Sequence, residues 1–396
     1  MAKPNHYNKI LLVGTGGGND VYSTILAALQ LQHDGWSWNH CDIAGVLSPF
    51  HQHSGAYAYS SKQYPVKHIT KSSKRWIVDK KGTTEIKFVD AAVAKLVAHH
   101  PELGISRVLG IPLDKGTVFL NQLFTMWKKK YDYIVLVDVG GDILYRGKQD
   151  WHVLSPMFDA MVLKAFVQSG AKGILFEAGP GTDGELESEA LRTLLKKLHP
   201  KVFPLTRTVV TQWDHLYKEW IAPVRRGRTV PVTINAFNSV KRALYLEYRA
   251  RGHMGTQKYY EHFGQTIDTE LCKNYYLIKP QDIINPFAVS CSDPLQWFIK
   301  TQVAQLHTNC EVNLEVLQYK GKYFQFLTPS PLFLEGKRTT IIEYGLSRLK
   351  EGHCDHAFIF AHDWKKLSNS YKGGLVVTNG PSRKYGKKLL VVSAAK

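Results

Sequence analysis

The sequence predicts an α/β protein, a Rossmann-like three-layer sandwich with a mostly parallel sheet and a less regular C-terminal half. Three observations lead there. Several apolar runs, such as "YIVLVDV" (133–139) and "GILFEA" (173–178), are continuously hydrophobic rather than alternating, which marks strands covered on both faces. Segments of helical period lie between them, so successive strands run parallel. Three of the apolar runs end in glycines and acids, the loop chemistry of a ligand-binding sheet edge.

Each element has its own signal. "ILLVG" carries a strand over about 8–14, followed by a helix over about 20–32 and a strand over about 41–47. "RWIVDKKGTTEIKF" reads as a hairpin turning at Lys81-Gly82. "VDAAVAKLVAHH" is a helix, and a second spans about 116–130. "SPMFDAMVLKAFVQSG" is a helix with Ser155 as cap, Pro156 at its first position and Gly170 as its stop. "LESEALRTLLKKLHP" is the next helix, ended by Pro200. After about residue 215 the pattern loosens. "VKRALYLEYRARGHMG" and "PLQWFIKTQVAQLH" read as aromatic helices, and "YFQFLT", "HAFIFAH" and "GLVVT" as strands. We therefore take 1–215 as the α/β core, and 216–396 as a part that either completes the sheet or caps the site.

The chain has 396 residues, 44% of them hydrophobic and 21% charged, an ordinary soluble composition. It contains no run long enough for a membrane span, and its first residues, "MAKPNHYNKILLVG", enter a strand without signal-peptide features. A cytoplasmic protein is expected. Five widely spaced cysteines form no CxxC pair, which argues against a disulfide framework and a structural zinc site. "HCDH" around Cys354 lacks a second ligand cluster and is read as ordinary sequence. The net charge of +18 favours anionic partners: phosphorylated metabolites, nucleic acid or a membrane surface. The basic residues are dispersed, and no RNP, zinc-finger or KH signature accompanies them.

The first glycine loop, "GTGGGND", follows the first strand. It fits the dinucleotide fingerprint only partly, because the third glycine is replaced by Asn19. Asp42 has roughly the spacing of a ribose-binding acid but begins its strand, at the wrong edge; Ser48, His51 and His53 occupy the right one. NAD is thus disfavoured, and a Walker loop is excluded by the missing Gly-Lys-Ser/Thr ending. The loop recurs as "DVGGD" (138–142) and "EAGPGTDGE" (177–185). In a parallel sheet all three leave the same edge, with glycine N–H groups open to a ligand.

Asp20, Asp138, Asp142 and Asp183 are the candidate catalytic acids. Gly16, Gly17, Gly18, Asn19, Gly140, Gly141, Arg146, Gly181, Thr182 and Ser48 are the candidate ligand-binding positions. A divalent cation, if used, would sit on Asp20 and Asp142. Each acid also has a structural reading. Asp20 can cap the following helix, Thr182 and Glu185 can form a capping box with Asp183 in the first turn, and Glu177 can be a strand-end surface residue.

Together, "VGTGGGNDVYSTILAALQL", "AGVLSPF", "DVGGDILYRGKQDWHVLSPMFDAMVLKAF" and "GPGTDGELESEAL" resemble the archaeal-type family "domain of unknown function 1152". Its GGG-x-D-V turn corresponds to Gly16, Gly17, Gly18, Asp20 and Val21. Its D-x-G-x-D-x-x-x-R-G segment corresponds to Asp138, Gly140, Asp142, Arg146 and Gly147, followed by a helix start at Ser155, Pro156 and Asp159. Its G-x-G-T-D-G-E-L loop runs from Gly179 to Leu186. The middle motif reads "DVGGD" in place of the family's more hydroxyl-rich "DGGTD". The resemblance covers roughly the first 200 residues; it implies a Rossmann-like fold and the same three loops, and it implies no reaction. The expectation is an enzyme acting on a phosphorylated or nucleoside-like metabolite by hydrolysis or transfer. The alternative is a non-catalytic basic protein that binds nucleotide or nucleic acid.

Overall fold

The structure is a computed structural model. It describes residues 6–17, 19–47, 89–112, 116–146, 156–184, 186–223, 229–254, 257–283, 316–319, 322–326, 346, 349–350, 356–379 and 389–395. Among them, seven strands form the central sheet: β1 (His6–Gly17), β2 (Ser37–Leu47), β3 (Ile105–Pro112), β4 (Tyr133–Val139), β5 (Gly173–Ala178), β6 (Lys201–Pro204) and β9 (Asn274–Ile278). Their order is β3-β2-β1-β4-β5-β9-β6. β1 to β5 are mutually parallel, and β9 runs antiparallel between β5 and β6.

Helices cover both faces. Leu11, Val13, Ile134 and Leu136 pack with α3 (Gly116–Lys130), α4 (Pro156–Ser169) and α5 (Ser188–Leu198). Ile10, Leu12, Val135 and Val137 pack on the other side with α1 (Asp20–His33), α2 (Val89–His99), α6 (Arg207–Leu216) and α7 (Thr229–Asn238). Successive residues of one strand thus enter opposite cores, which is why these strands are apolar throughout. Gly170 ends α4 in the left-handed region at φ +62°, as its position in the sequence requires.

Order matters more than count. From β1 the chain builds outward to β2 and β3 on one side, then crosses to β4 and β5 on the other. The segments leaving β1 and β4 therefore diverge, and their carboxyl ends border the crevice where such sheets place ligands.

Several expectations change. Ser106 and Arg107 interrupt the apolar pattern of β3, so the sequence does not set this strand apart. Arg107 stays at the sheet because Asp42 on neighbouring β2 takes its guanidinium, Nε–Oδ1 3.0 Å and Nη2–Oδ2 2.5 Å. The segment expected as an aromatic helix is β7 (Ala243–Met254), paired antiparallel along its whole length with β8 (Gln257–Asp268). Its alternation of Leu244, Leu246 and Tyr248 with Tyr245, Glu247 and Arg249 also fits a period of two, and the cross-strand ladder decides between the readings. Thr182 does not cap α5, which begins at Ser188 with Glu187 in the capping position.

The later residues supply one strand of the central sheet and a second sheet. β9 enters the central sheet, whereas β10 (Val316–Tyr319), β11 (Lys322–Phe326), β12 (His356–Phe360), β13 (Leu375–Asn379) and β14 (Leu389–Ala394) form a second sheet. Phe358 and Phe360 of β12 join the core on the α3–α5 face. The 75–88 hairpin, the 294–307 helix, Gly18, Ser48, His51, His53, Ser155 and Cys354 lie outside the described residues. No helix among the described residues is long and apolar enough to cross a membrane.

Asp42 is fully buried and also accepts the Tyr131 hydroxyl at 2.5 Å and faces His40 Nε2 at 3.0 Å. Burial opposes its charge, but the Arg107 and Tyr131 hydrogen bonds hold its carboxyl below the ordinary range. Its stabilising contribution is therefore present above the ordinary carboxylate pKa and is lost as pH falls through the lowered one. Asp42→Ala strands Arg107 against the sheet and is expected to cost about 3–5 kcal/mol. Denaturant unfolding at pH 7 checks the size, and the difference from wild type should shrink as pH falls below about 4.

Candidate functional site

The three glycine loops meet at the carboxyl edge. Gly140 and Gly141, just beyond β4, have φ of +134° and +106°, open to glycine and strained for other residues. The Gly181 N–H donates to the Gly140 carbonyl at 2.5 Å, which joins the loop after β4 to the loop after β5. A Cβ on Gly140 would lie 3.0 Å from the Asp183 side chain. A Cβ on Gly16 would run into the Asp20 carboxylate and lie 2.9 Å from Asp159 Oδ2. Glycine at these positions leaves room for Asp20, Asp159 and Asp183.

At the centre, Asp20, Asp138 and Asp159 each present a carboxylate oxygen, and all three atoms lie within 4.8 Å of one another. Asp20 is the first residue of α1, Asp138 the sixth of β4, and Asp159 sits in the first turn of α4. Asp20 does not cap α1: that position belongs to Asn19, whose side chain makes no capping bond. Instead the Asp20 carboxylate accepts the backbone N–H of Gly16. Asp138 is held by backbone N–H groups of Val139, Gly141 (3.2 Å) and Ile143.

Glu177 completes the inner layer. The β4–β5 register sets Asp138 directly beside Glu177, so parallel pairing places both on one face of the sheet. Both are fully buried, which overturns the reading of Glu177 as a surface residue. Burial, followed by the charge of Asp138 beside it, pushes Glu177 well above the usual carboxylate range. Asp20 is raised by burial and then by Asp159 and Asp138, with the Gly16 N–H partly offsetting this. No arrangement of four carboxylates this close keeps all of them charged without a cation.

The remaining candidates fall around this centre. Asp183 is buried against Gly140 and adds its charge to the field on Asp20 and Glu177. Asp142 follows Gly141 in a short 3-10 turn, partly exposed, and is not one of the three converging carboxylates. Arg146 lies partly buried just after that turn. Thr182 is buried, its hydroxyl engaged by the Gly179 carbonyl and Thr233 Oγ1, each at 2.7 Å. Tyr22, close in sequence to Asp20, is a core residue stacked on Trp213 with ring centroids 5.6 Å apart. In the sequence Asp159 stands out only as part of a helix start. The usable signal was its place in the first turn of the helix that follows a Gly/Asp loop.

These features define a class: an α/β protein with a buried acidic centre at the switch point of a mostly parallel sheet. The family model described as "Protein of unknown function (DUF1152)" matches residues 64–240, so the resemblance read from the motifs stands. That range includes Asp138, Asp142, Asp159, Glu177 and Asp183 and starts after the Asp20 loop. No curated protein and no solved structure matches the chain.

A carboxyl with a raised pKa in the fold stabilises it while protonated, and this contribution is lost as pH rises through the raised value. The stability of the cation-free protein should therefore decline from about pH 4 upward, by up to ~1.4 kcal/mol per pH unit for each such proton. Glu177→Gln keeps shape and a donor toward Asp138 while removing the charge. Its thermal unfolding should show a shallower decline and a higher midpoint than wild type at pH 8.

Proposed function

We propose that the chain is an enzyme of Rossmann-like fold that holds a divalent cation on Asp20, Asp138 and Asp159 and acts on a phosphorylated or nucleoside-like metabolite. The observation that carries this reading is the convergence of three carboxylates from three elements at the switch point. Oxygen-only ligands suit a hard cation such as Mg²⁺ or Mn²⁺. A second feature points the same way: Asn19, about nine-tenths buried beside Asp20, has its Oδ1 without a hydrogen-bond partner.

A cation bound there would neutralise the acids and polarise a phosphoryl or ribosyl oxygen. The chain's own groups supply the rest. The amino end of the 14-residue helix α1 lies at Asp20 and favours an anion through the helix dipole. The glycines at 16, 140, 141 and 181 let substrate approach the backbone. Asp142, partly exposed and outside the converging three, is placed to accept a proton from an attacking water or to bind a sugar hydroxyl. Arg146 is the nearby cation in sequence for a substrate anion. Hydrolysis or group transfer at a phosphoryl or ribosyl centre is the chemistry this set suits, in a basic, cytoplasmic protein. Asp42, committed to Arg107 and Tyr131, is not available for a dinucleotide ribose.

The test is a thermal-shift titration with Mg²⁺, Mn²⁺ and Ca²⁺, then nucleotides and sugar phosphates with and without the cation. Wild type should gain stability that rises with the logarithm of cation concentration, about 2.7 kcal/mol at a hundredfold excess over Kd. Asp20→Asn and Asp159→Asn should lose that gain while unfolding at or above the wild-type temperature without metal, because each relieves like-charge repulsion. Asp142→Asn should keep the metal response and lose turnover. A wild type indifferent to all three cations would remove the cation from the proposal, and a metabolite affinity unchanged in Asp20→Asn and Asp142→Asn would remove the site.

A further inference from the structure

A second polar cluster lies toward the amino-terminal ends of β2 and β3, away from the edge that carries the acidic centre. His40 and Asp42 are two apart on β2, so their side chains leave the same face of the strand. The pairing of β2 with β3 shifts between Cys41, which opposes Ile105, and Asp42, which opposes Arg107. Ser106 is the extra residue of that bulge, and a bulge re-aims the side chains it carries. Here the Ser106 hydroxyl lies 3.1 Å from His40 Nδ1, and His40 Nε2 lies 3.0 Å from Asp42 Oδ1.

The three residues differ in exposure in the order that nucleophilic chemistry needs. Ser106 is exposed, the His40 side chain is 32% exposed and Asp42 is fully buried. Asp42 accepts from Arg107 Nε at 3.0 Å, and from Arg107 Nη2 and the Tyr131 hydroxyl at 2.5 Å each. These bonds fix the carboxylate and keep it charged. A carboxylate only accepts, so the His40 proton sits on Nε2 and Nδ1 is left to accept from Ser106. Nucleophile, base and orienting acid within hydrogen-bond reach are the signature of an activated serine, whatever the fold or chain order.

We propose that Ser106 is the nucleophile of a second site that hydrolyses carboxylic esters, with His40 as its base and Asp42 as the residue that positions His40. Arg107, and Lys130 at 3.8 Å from Asp42, outnumber the single carboxylate. Their field favours the negative charge that develops on the carbonyl oxygen, and an ester that carries a negative charge of its own. In the first step a bond forms between Ser106 Oγ and the ester carbonyl carbon while the hydroxyl proton passes to His40 Nδ1. The C–O bond to the alcohol then breaks, and that proton leaves with the alcohol. Water adds to the acyl-serine by the same route, giving a proton to His40, and the carboxylic acid departs as Ser106 regains that proton. The site stands apart from the acidic centre and does not need it.

The molecule supplies its own control. Ser37, at the start of β2, lies 2.9 Å from His6 Nδ1; both residues are exposed, and no carboxylate orients His6 among the described residues. The experiment is incubation of the full chain with a fluorophosphonate probe in excess EDTA, which keeps the proposed cation site empty, followed by peptide mass spectrometry. Wild type should carry one label, at Ser106, with Ser37 unmodified. His40→Gln should slow labelling by about a hundredfold or more, and Ser37→Ala by less than twofold. In the same buffer p-nitrophenyl hemiglutarate should give a burst of p-nitrophenol. Its kcat/KM should exceed that of p-nitrophenyl acetate by about fivefold or more, and Ser106→Ala should abolish turnover of both. The labelled position is read in wild type, so the outcome does not rest on the folding of a variant. No label, or equal label on Ser106 and Ser37, overturns the proposal. Equal kcat/KM for the two esters overturns the choice of an anionic substrate.

Discussion

Like charge held out of water is the constraint around which this protein is arranged. Asp20, Asp138, Asp159 and Glu177 crowd one edge of the sheet, three of them essentially buried. Carboxylates so placed cannot all ionise unless something positive joins them. The protein keeps them there with backbone: the N–H groups of Gly16, Val139, Gly141 and Ile143 point at Asp20 and Asp138. Glycines at 16 and 140 remove the Cβ atoms that would otherwise occupy the same space. Such an arrangement costs stability, and that cost is the physical basis of the proposed cation site.

Asp42 shows the contrast within the same sheet. It is as buried as Asp138, yet Arg107, Tyr131 and His40 surround it. One carboxyl is pushed below its ordinary range and the other group above it, from equal burial and opposite company. The first therefore strengthens the fold at neutral pH and the second weakens it. That difference separates a structural ion pair from a candidate site more sharply than burial does.

Much of the core was legible in the sequence. The uniform apolarity of "YIVLVDV" and "GILFEA" announces strands covered on both faces, and the recurrence of Gly/Asp loops locates the edge that matters. The illegible parts have identifiable causes. β3 carries an arginine whose partner lies 65 positions away. β7 satisfies two periodicities, and only its pairing with β8 chooses one. Asp159 looked like a helix start because nothing local reveals that α4 brings it to Asp20.

The amino-acid sequence by itself determined the α/β class, the parallel strands and three glycine-and-acid loops at one sheet edge, because these depend on periodicity and local turn chemistry. Tertiary structure alone decided which acids meet. Strand order sets β4 between β1 and β5, and register sets Asp138 beside Glu177. Helix packing carries Asp159 to Asp20, while Asp142, equally prominent in the sequence, falls outside the converging three. Proximity between residues far apart in the chain is a property of topology, and charge interactions act through space rather than along sequence.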